Sequence, residues 1–355
     1  MKFRSARTAP VTFAFLALAM AGCASSTATS APPTHAASSK PAGSPSSSSA
    51  SAGAAGCAAG PGSTSVSTAA QLAQALAAAQ PGGRIVLAPG IYHDDFVATT
   101  SGTAAAPITL CGSRSAVLEG LSMGHGYVLH LNKASWWRVE GFTVEGGQKG
   151  VVTDGVTHDL IYGLYVHTIG DEAIHLRDFS SNNTVSHNIV RDTGQHTQFY
   201  GEGIYVGTAH KNWCKYSGCQ PDASNNNLII GNNIANTTAE NIDIKEGTIG
   251  GTISGNTLNG TGMVSSAATS WVNVKGNGWT IENNIGLNSI GDGFSVHQVY
   301  PGWGVGNIFR SNDARLSGSG YGIYVQSSDL KTLVACSNVA AGAGGGISNV
   351  TCSNA

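Results

Sequence analysis

Residues 239–245 read Ala-Glu-Asn-Ile-Asp-Ile-Lys. A carboxylate, Glu240, stands five places before an amine, Lys245, with Asp243 between them. The alternation of Ile242 and Ile244 with polar residues is that of a strand with one buried face, so Asp243 and Lys245 point the other way. The phrase recurs at 171–177, 201–207, 269–275, 291–297 and 320–326. Aligned on their apolar positions, the copies give two outward columns. One runs His175, Tyr205, Asp243, Asn273, Ser295, Tyr324; the other runs Arg177, Gly207, Lys245, Lys275, His297, Gln326. Strands stacked at about 4.8 Å would bring these side chains together. In four copies an acidic residue (Glu172, Glu202, Glu240 or Asp292) lies five places before the last position.

Amines beside carboxylates suit proton abstraction from a weak carbon acid that itself carries a carboxylate. Lys245 is the candidate base, and the charge of Lys275 one rung away is expected to lower its pKa. Glu202, Glu240 and Asp243 offer the hard oxygen ligands that Ca²⁺ takes. Lys275, Arg177 and His297 are candidates for the acid or for binding substrate charge. Tyr205, His175, Asn273 and Tyr324 face the same groove. Trp213, in an insertion at 209–224 that the pair Cys214–Cys219 would pin, is read as an aromatic on the groove wall. Trp271 fits either a sugar-stacking role or packing between rungs.

The elements that must position these groups are short. The copies start 22 to 38 residues apart, the spacing of a stacked repeat. A second phrase lies between them, as in Asn183-Thr-Val-Ser-His-Asn-Ile-Val and Gly251-Thr-Ile-Ser-Gly-Asn-Thr-Leu. Its asparagines mark turns, where they tolerate the left-handed conformation and can stack their amides. Two strand phrases per repeat, without helices or two-residue hairpin turns, argue for parallel strands wound into a solenoid. Thr68 to Gln80 reads as a helix that would cap the solenoid's first rung, ended by Pro81-Gly82-Gly83. Charged residues are 11% of the chain and the net charge is −2, which gives no basic field for nucleic acid.

Residues 1–23 read as an export signal: Lys2, Arg4 and Arg7 precede an apolar run that ends in Met20-Ala21-Gly22-Cys23. This resembles a bacterial lipobox, so the protein is expected at the cell surface as a lipoprotein or secreted, touching membrane only through that anchor. Residues 24–56, rich in Ser, Ala and Pro, read as a disordered tether, and 57–355 as the folded domain. Six further cysteines suggest disulfides, with Cys214–Cys219 and Cys336–Cys352 as local pairs and Cys57–Cys111 remaining.

These phrases resemble a right-handed parallel β-helix of the pectate-lyase type, an all-β, pectin-lyase-like solenoid with an N-terminal capping helix. The opening helix and Pro89-Gly-Ile-Tyr resemble the chondroitinase B and alginate lyase group. That resemblance implies β-elimination on an acidic polysaccharide, and the chain is expected to act as a monomer. The resemblance also implies a calcium-binding glutamate five residues before the catalytic lysine, a spacing that Glu240 and Lys245 match. The group's other acidic ligand falls on Thr238, and no arginine occurs between Lys245 and Arg310, where the group has its catalytic arginine. A non-catalytic carbohydrate-binding solenoid, a glycoside hydrolase and a uronate epimerase remain as alternative readings. A hydrolase would need two carboxyl groups flanking the bond, and would leave the two lysines unexplained.

Overall fold

The computed structural model describes residues 57–354. The expected export signal and tether lie outside the described residues. Among the described residues the strands form three sheets of eleven, nine and ten members, and in each sheet the strands follow one another in chain order. Each turn of the chain therefore adds one strand to every sheet, parallel to the one before, and the molecule is a parallel β-helix.

The alternation in the sequence becomes two kinds of stack. Val151, Ile174, Ile204, Ile242, Val272, Phe294 and Ile323 are register partners on successive strands of the nine-stranded sheet. They are buried inside, as is the parallel row through Leu176, Val206, Ile244, Val274 and Val296. Removing one such side chain would cost about 2–5 kcal/mol. Trp271 belongs to this interior: it is fully buried, and its ring occupies space that a Cβ at Gly286 would enter at 2.2 Å. The sugar-stacking reading of Trp271 is therefore set aside.

Asparagines run along one corner of the coil. The backbone N–H of Asn188 donates to Asn232 Oδ1, that of Asn232 to Asn256, and so on through Asn284 and Asn312 to Asn338, each at 2.8–3.1 Å. The left-handed conformation falls on the preceding residue, His187, Gly231, Gly255, Asn283 or Ser311. Turning and stacking are thus divided between two consecutive positions.

Before the coil begins, Thr68 Oγ1 accepts from Gln71 N and starts the helix Ala69–Ala77, which buries Leu72 and Leu76 against the first strands. The disulfides are Cys57–Cys111, Cys214–Cys219 and Cys336–Cys352.

Candidate active site

Outward residues of the nine-stranded sheet floor a cleft of about 590 Å³. Register pairing sets His175, Tyr205, Asp243, Asn273, Ser295 and Tyr324 in one column. Ladder hydrogen bonds from Gly207, Lys245, Lys275 and His297 to the preceding strands carry the second column. The strand Ile242–Ile244 holds the centre, because its two isoleucines are anchored in the core and leave Asp243 and Lys245 no choice of face.

Asp243 lies between the two lysines. Its Oδ2 is 2.5 Å from Lys245 Nζ and its Oδ1 is 2.5 Å from Lys275 Nζ. Burial alone would push the Asp243 carboxyl up, but the two ammonium groups outweigh it and hold it below its usual value. Burial would likewise lower Lys245, yet Asp243, Tyr205 and the glutamates hold it well above the usual lysine value. The expected lowering of Lys245 by Lys275 is thus corrected: a carboxylate separates the amines and stabilises the charge on Lys245.

Glu202, Glu240 and Asp243 converge, each offering an oxygen within 4.8 Å of the others, all buried. Burial, then the charge of Glu172, pushes Glu202 well above the usual carboxyl range; burial and Asp243 raise Glu240. Glu202 Oε2 has no hydrogen-bond partner among the described residues. Clustered carboxylates with an unsatisfied buried oxygen fit a hard divalent cation such as Ca²⁺. Asn273 supports the cluster, donating from Nδ2 to Glu240 Oε1 at 2.9 Å while His297 Nδ1 lies 2.9 Å from its Oδ1.

Tyr205 packs over this group. Lys245 Nζ lies 4.7 Å from the centre of its ring, and His175 meets the ring edge-on at 4.3 Å. Burial holds the Tyr205 hydroxyl protonated, well above the usual phenol value.

Other expected residues take different places. Arg177 is outward, but its Nε and Nη2 donate to Asp154 at 2.6 and 3.0 Å, and its guanidinium is sandwiched between the rings of Tyr127 and Tyr216. It braces the cleft and offers no free acid. His297 and Tyr324 lie beyond the cleft lining. Burial and Lys275 push the His297 imidazole below its usual value. Trp213 is corrected: it is 7% exposed, and its Nε1–H donates to the Thr208 carbonyl inside its own loop. Tyr216 and Lys215 of that loop line the cleft instead. The loop is tied down where Glu246 Oε1 accepts from His210 N at 2.6 Å and where Asp222 accepts from Asp178 N and Phe179 N.

Sequence reasoning missed Lys149, which pairs with Glu172, as well as Asp154, Tyr127, Phe199 and Tyr200. For Asp154 a signal existed. It is the register partner of Arg177, so Gly150-Val-Val-Thr-Asp is one more copy of the phrase. Phe199 and Tyr200 come from the irregular turn Gln198–Tyr200, which no period predicts.

The described residues thus form a parallel β-helix whose sheet face carries lysines, a tyrosine and buried carboxylates in a cleft. The structure is similar to that of the alginate lyase from Paenibacillus sp. str. FPU-7, with 34% sequence identity over 82% of this chain and 96% of that one, at a TM-score of 0.73. The chain belongs to the β-helix polysaccharide lyases that include this enzyme. Pectate lyase Pel9A (15% identity, 78% of this chain, 72% of that one, TM-score 0.55) shares the fold. So does the enzymatically active domain of tailspike protein 2 from bacteriophage CBA120 (11% identity, 78% and 40%, TM-score 0.55). No family model matches the chain, and no curated protein does.

Proposed function

We propose that the protein is an exported lyase that cleaves a uronate-containing polysaccharide by β-elimination, with alginate the first polymer to test. The observation that carries this reading is the placement of Lys245 against Tyr205 on adjacent rungs, beside a buried carboxylate cluster. The alginate lyase relative supports the choice of polymer.

In this reading Lys245, held protonated by Asp243 in the free protein, gives its proton up to solvent as substrate enters the cleft, and as the neutral amine takes the proton from C5 of the uronate. The C5–H electrons form the C4–C5 double bond, the C4–O4 bond breaks, and Tyr205 O–H protonates the departing O4. Lys245 ends protonated and Tyr205 ionised, and solvent exchange restores both. Lys275 stays on Asp243 and supplies positive charge to the floor of the cleft. Glu202, Glu240 and Asp243 would hold a calcium ion, which would supply positive charge to offset the substrate carboxylate. Lys215 and Lys211, on the loop that walls the cleft, extend that charge toward an acidic chain. The lipobox-like Met20-Ala21-Gly22-Cys23 supports export with a lipid anchor at Cys23.

The test is to incubate the protein with alginate, pectate and chondroitin sulfate, with calcium and with chelator, and to follow the ultraviolet absorbance of the unsaturated uronate. An absorbance rise on one polymer, lost in Lys245→Ala, is the expected result. A folded protein that yields reducing ends without that absorbance would be a hydrolase, and the proposal would fall.

A further inference from the structure

Past Asn273, at the edge of the cleft, the same sheet face carries a run of aromatic rings. His297 Nδ1 lies 2.9 Å from Asn273 Oδ1, and the His297 ring is followed by that of Tyr324, with centroids 5.8 Å apart. Tyr321 comes next, its ring centroid 6.4 Å from that of Tyr324 and the two planes 34° apart. The rings continue the outward face of the nine-stranded sheet to its last strand, Ile323–Val325. Ser295, between Asn273 and Tyr324 in the column, is short, fully buried and bonded to Ser270 Oγ at 2.7 Å.

Both tyrosines are held by their backbones and not by their hydroxyls. Tyr324 stands between Ile323 and Val325, which are anchored in the core. Asp292 Oδ1 accepts from Tyr321 N at 2.7 Å. The Tyr321 ring lies over Gly345, where a Cβ would meet ring carbon Cδ1 at 2.7 Å, so the lack of a side chain there makes room for it. Both residues are half-buried, and neither hydroxyl bonds to another described residue. Packing alone would be served as well by phenylalanine. A ring with an unengaged hydroxyl suits a pyranose, whose C–H face lies on the aromatic surface while its hydroxyls meet the polar tip.

We propose that Tyr321 and Tyr324 form a second sugar-binding site, a distal platform for the polysaccharide chain held in the cleft. The proposal rests on the lyase reading above. Tyr324 lies three strands from Asp243 in the register column, about 14 Å at the usual strand spacing. One sugar ring cannot reach both, so only a chain several units long fills the platform. Two linked contacts then hold a long chain more tightly than either alone, while a short chain has only the cleft.

The experiment compares polymeric alginate with the shortest alginate oligosaccharide that the protein cleaves. Tyr321→Ala and Tyr324→Ala should each lower kcat/KM about tenfold on the polymer, through KM, the scale of one lost aromatic contact, and leave the oligosaccharide unchanged. Tyr324→Phe keeps the ring and should recover most of the loss. An equal loss on both substrates, or no loss on either, would overturn the platform. Should the alanine variants lose their fold on thermal unfolding, nitration by tetranitromethane carries the test on the slow variant Tyr205→Phe, read by peptide mass spectrometry. Polymeric alginate should protect Tyr321 and Tyr324, and the oligosaccharide should not. Equal modification with and without a polymer that retains the protein in affinity electrophoresis would overturn the platform. If the wild type forms no unsaturated product from any uronate polymer, the lyase reading falls separately, and protection by a retaining polymer still decides the platform. A folded protein that no polymer retains loses the platform as well.

Discussion

Lys245 Nζ lies 4.7 Å from the centre of the Tyr205 ring, and the two residues project from adjacent strands of one sheet. The ring confines the amine while the hydroxyl remains in the cleft. Tyr205→Phe keeps the ring beneath the amine and deletes only the proton donor. Its kcat is expected to fall about 10²–10⁴-fold, the range for loss of one general acid, with the thermal midpoint unchanged. A variant with near-wild-type kcat would remove Tyr205 from the chemistry.

Asp243 is the shared counterion of two lysines, and its side chain is almost entirely buried. Asp243→Asn keeps the shape but leaves two ammonium groups without their partner. Removing one member of such a buried group costs about 3–5 kcal/mol. Thermal unfolding should show a clear drop in midpoint, and the Asp243→Asn, Lys275→Met double variant should recover part of it. No drop would mean that solvent already screens the lysines.

Calcium binding has a readout independent of turnover. A ligand that binds only the folded state raises the unfolding midpoint in proportion to the logarithm of its concentration. Millimolar calcium should raise the midpoint of the wild type, and Glu202→Gln or Glu240→Gln should abolish the rise. An unchanged wild-type midpoint would assign the cluster to substrate handling without a metal.

Asp159 gives a pH-dependent prediction away from the cleft. Burial raises its carboxyl well above the usual value, with backbone N–H bonds from Trp137 and Trp136 opposing. Its Oδ1 accepts from Trp137 N at 2.8 Å, and its Oδ2 has no hydrogen-bond partner among the described residues. The folded protein therefore binds this proton more tightly than the unfolded chain does. Stability is fully present below the unfolded value of about 3.9 and is lost as pH rises toward the folded value. The downstream neighbour in the same row is Asn183, whose Oδ1 accepts from Asp159 N at 2.9 Å. Asp159→Asn should match the wild type near pH 4 and be the more stable of the two at pH 7, read as a difference in unfolding midpoint. A variant that is less stable at neutral pH would show that the carboxylate is held by an interaction other than its two backbone donors.

The fold was legible because its determinants are periodic. Ile242 and Ile244 alternate with polar residues, and the same phrase returns often enough to set both the face of each residue and its vertical neighbours. That pattern alone places Glu202, Tyr205, Glu240, Asp243, Lys245 and Lys275 in one patch. A parallel coil also leaves little freedom in register, since a one-residue slip would turn every isoleucine to solvent.

The sequence by itself determined which side chains share the floor of the cleft, through strand periodicity and rung spacing. Tertiary structure decided their charge states and the walls. Only side-chain packing sets Asp243 between two lysines and turns Lys245 toward a protonated resting state. The path of a non-repeating loop, held by Glu246 and Asp222, buries Trp213 and brings Tyr216 onto Arg177. The bond from His175 to the Gly207 carbonyl depends on a left-handed turn two residues beyond Tyr205 on the next rung. Periodicity carries information about faces and neighbours. Hydrogen-bond direction and ionisation depend on distances of a few tenths of an ångström, which only the folded chain fixes.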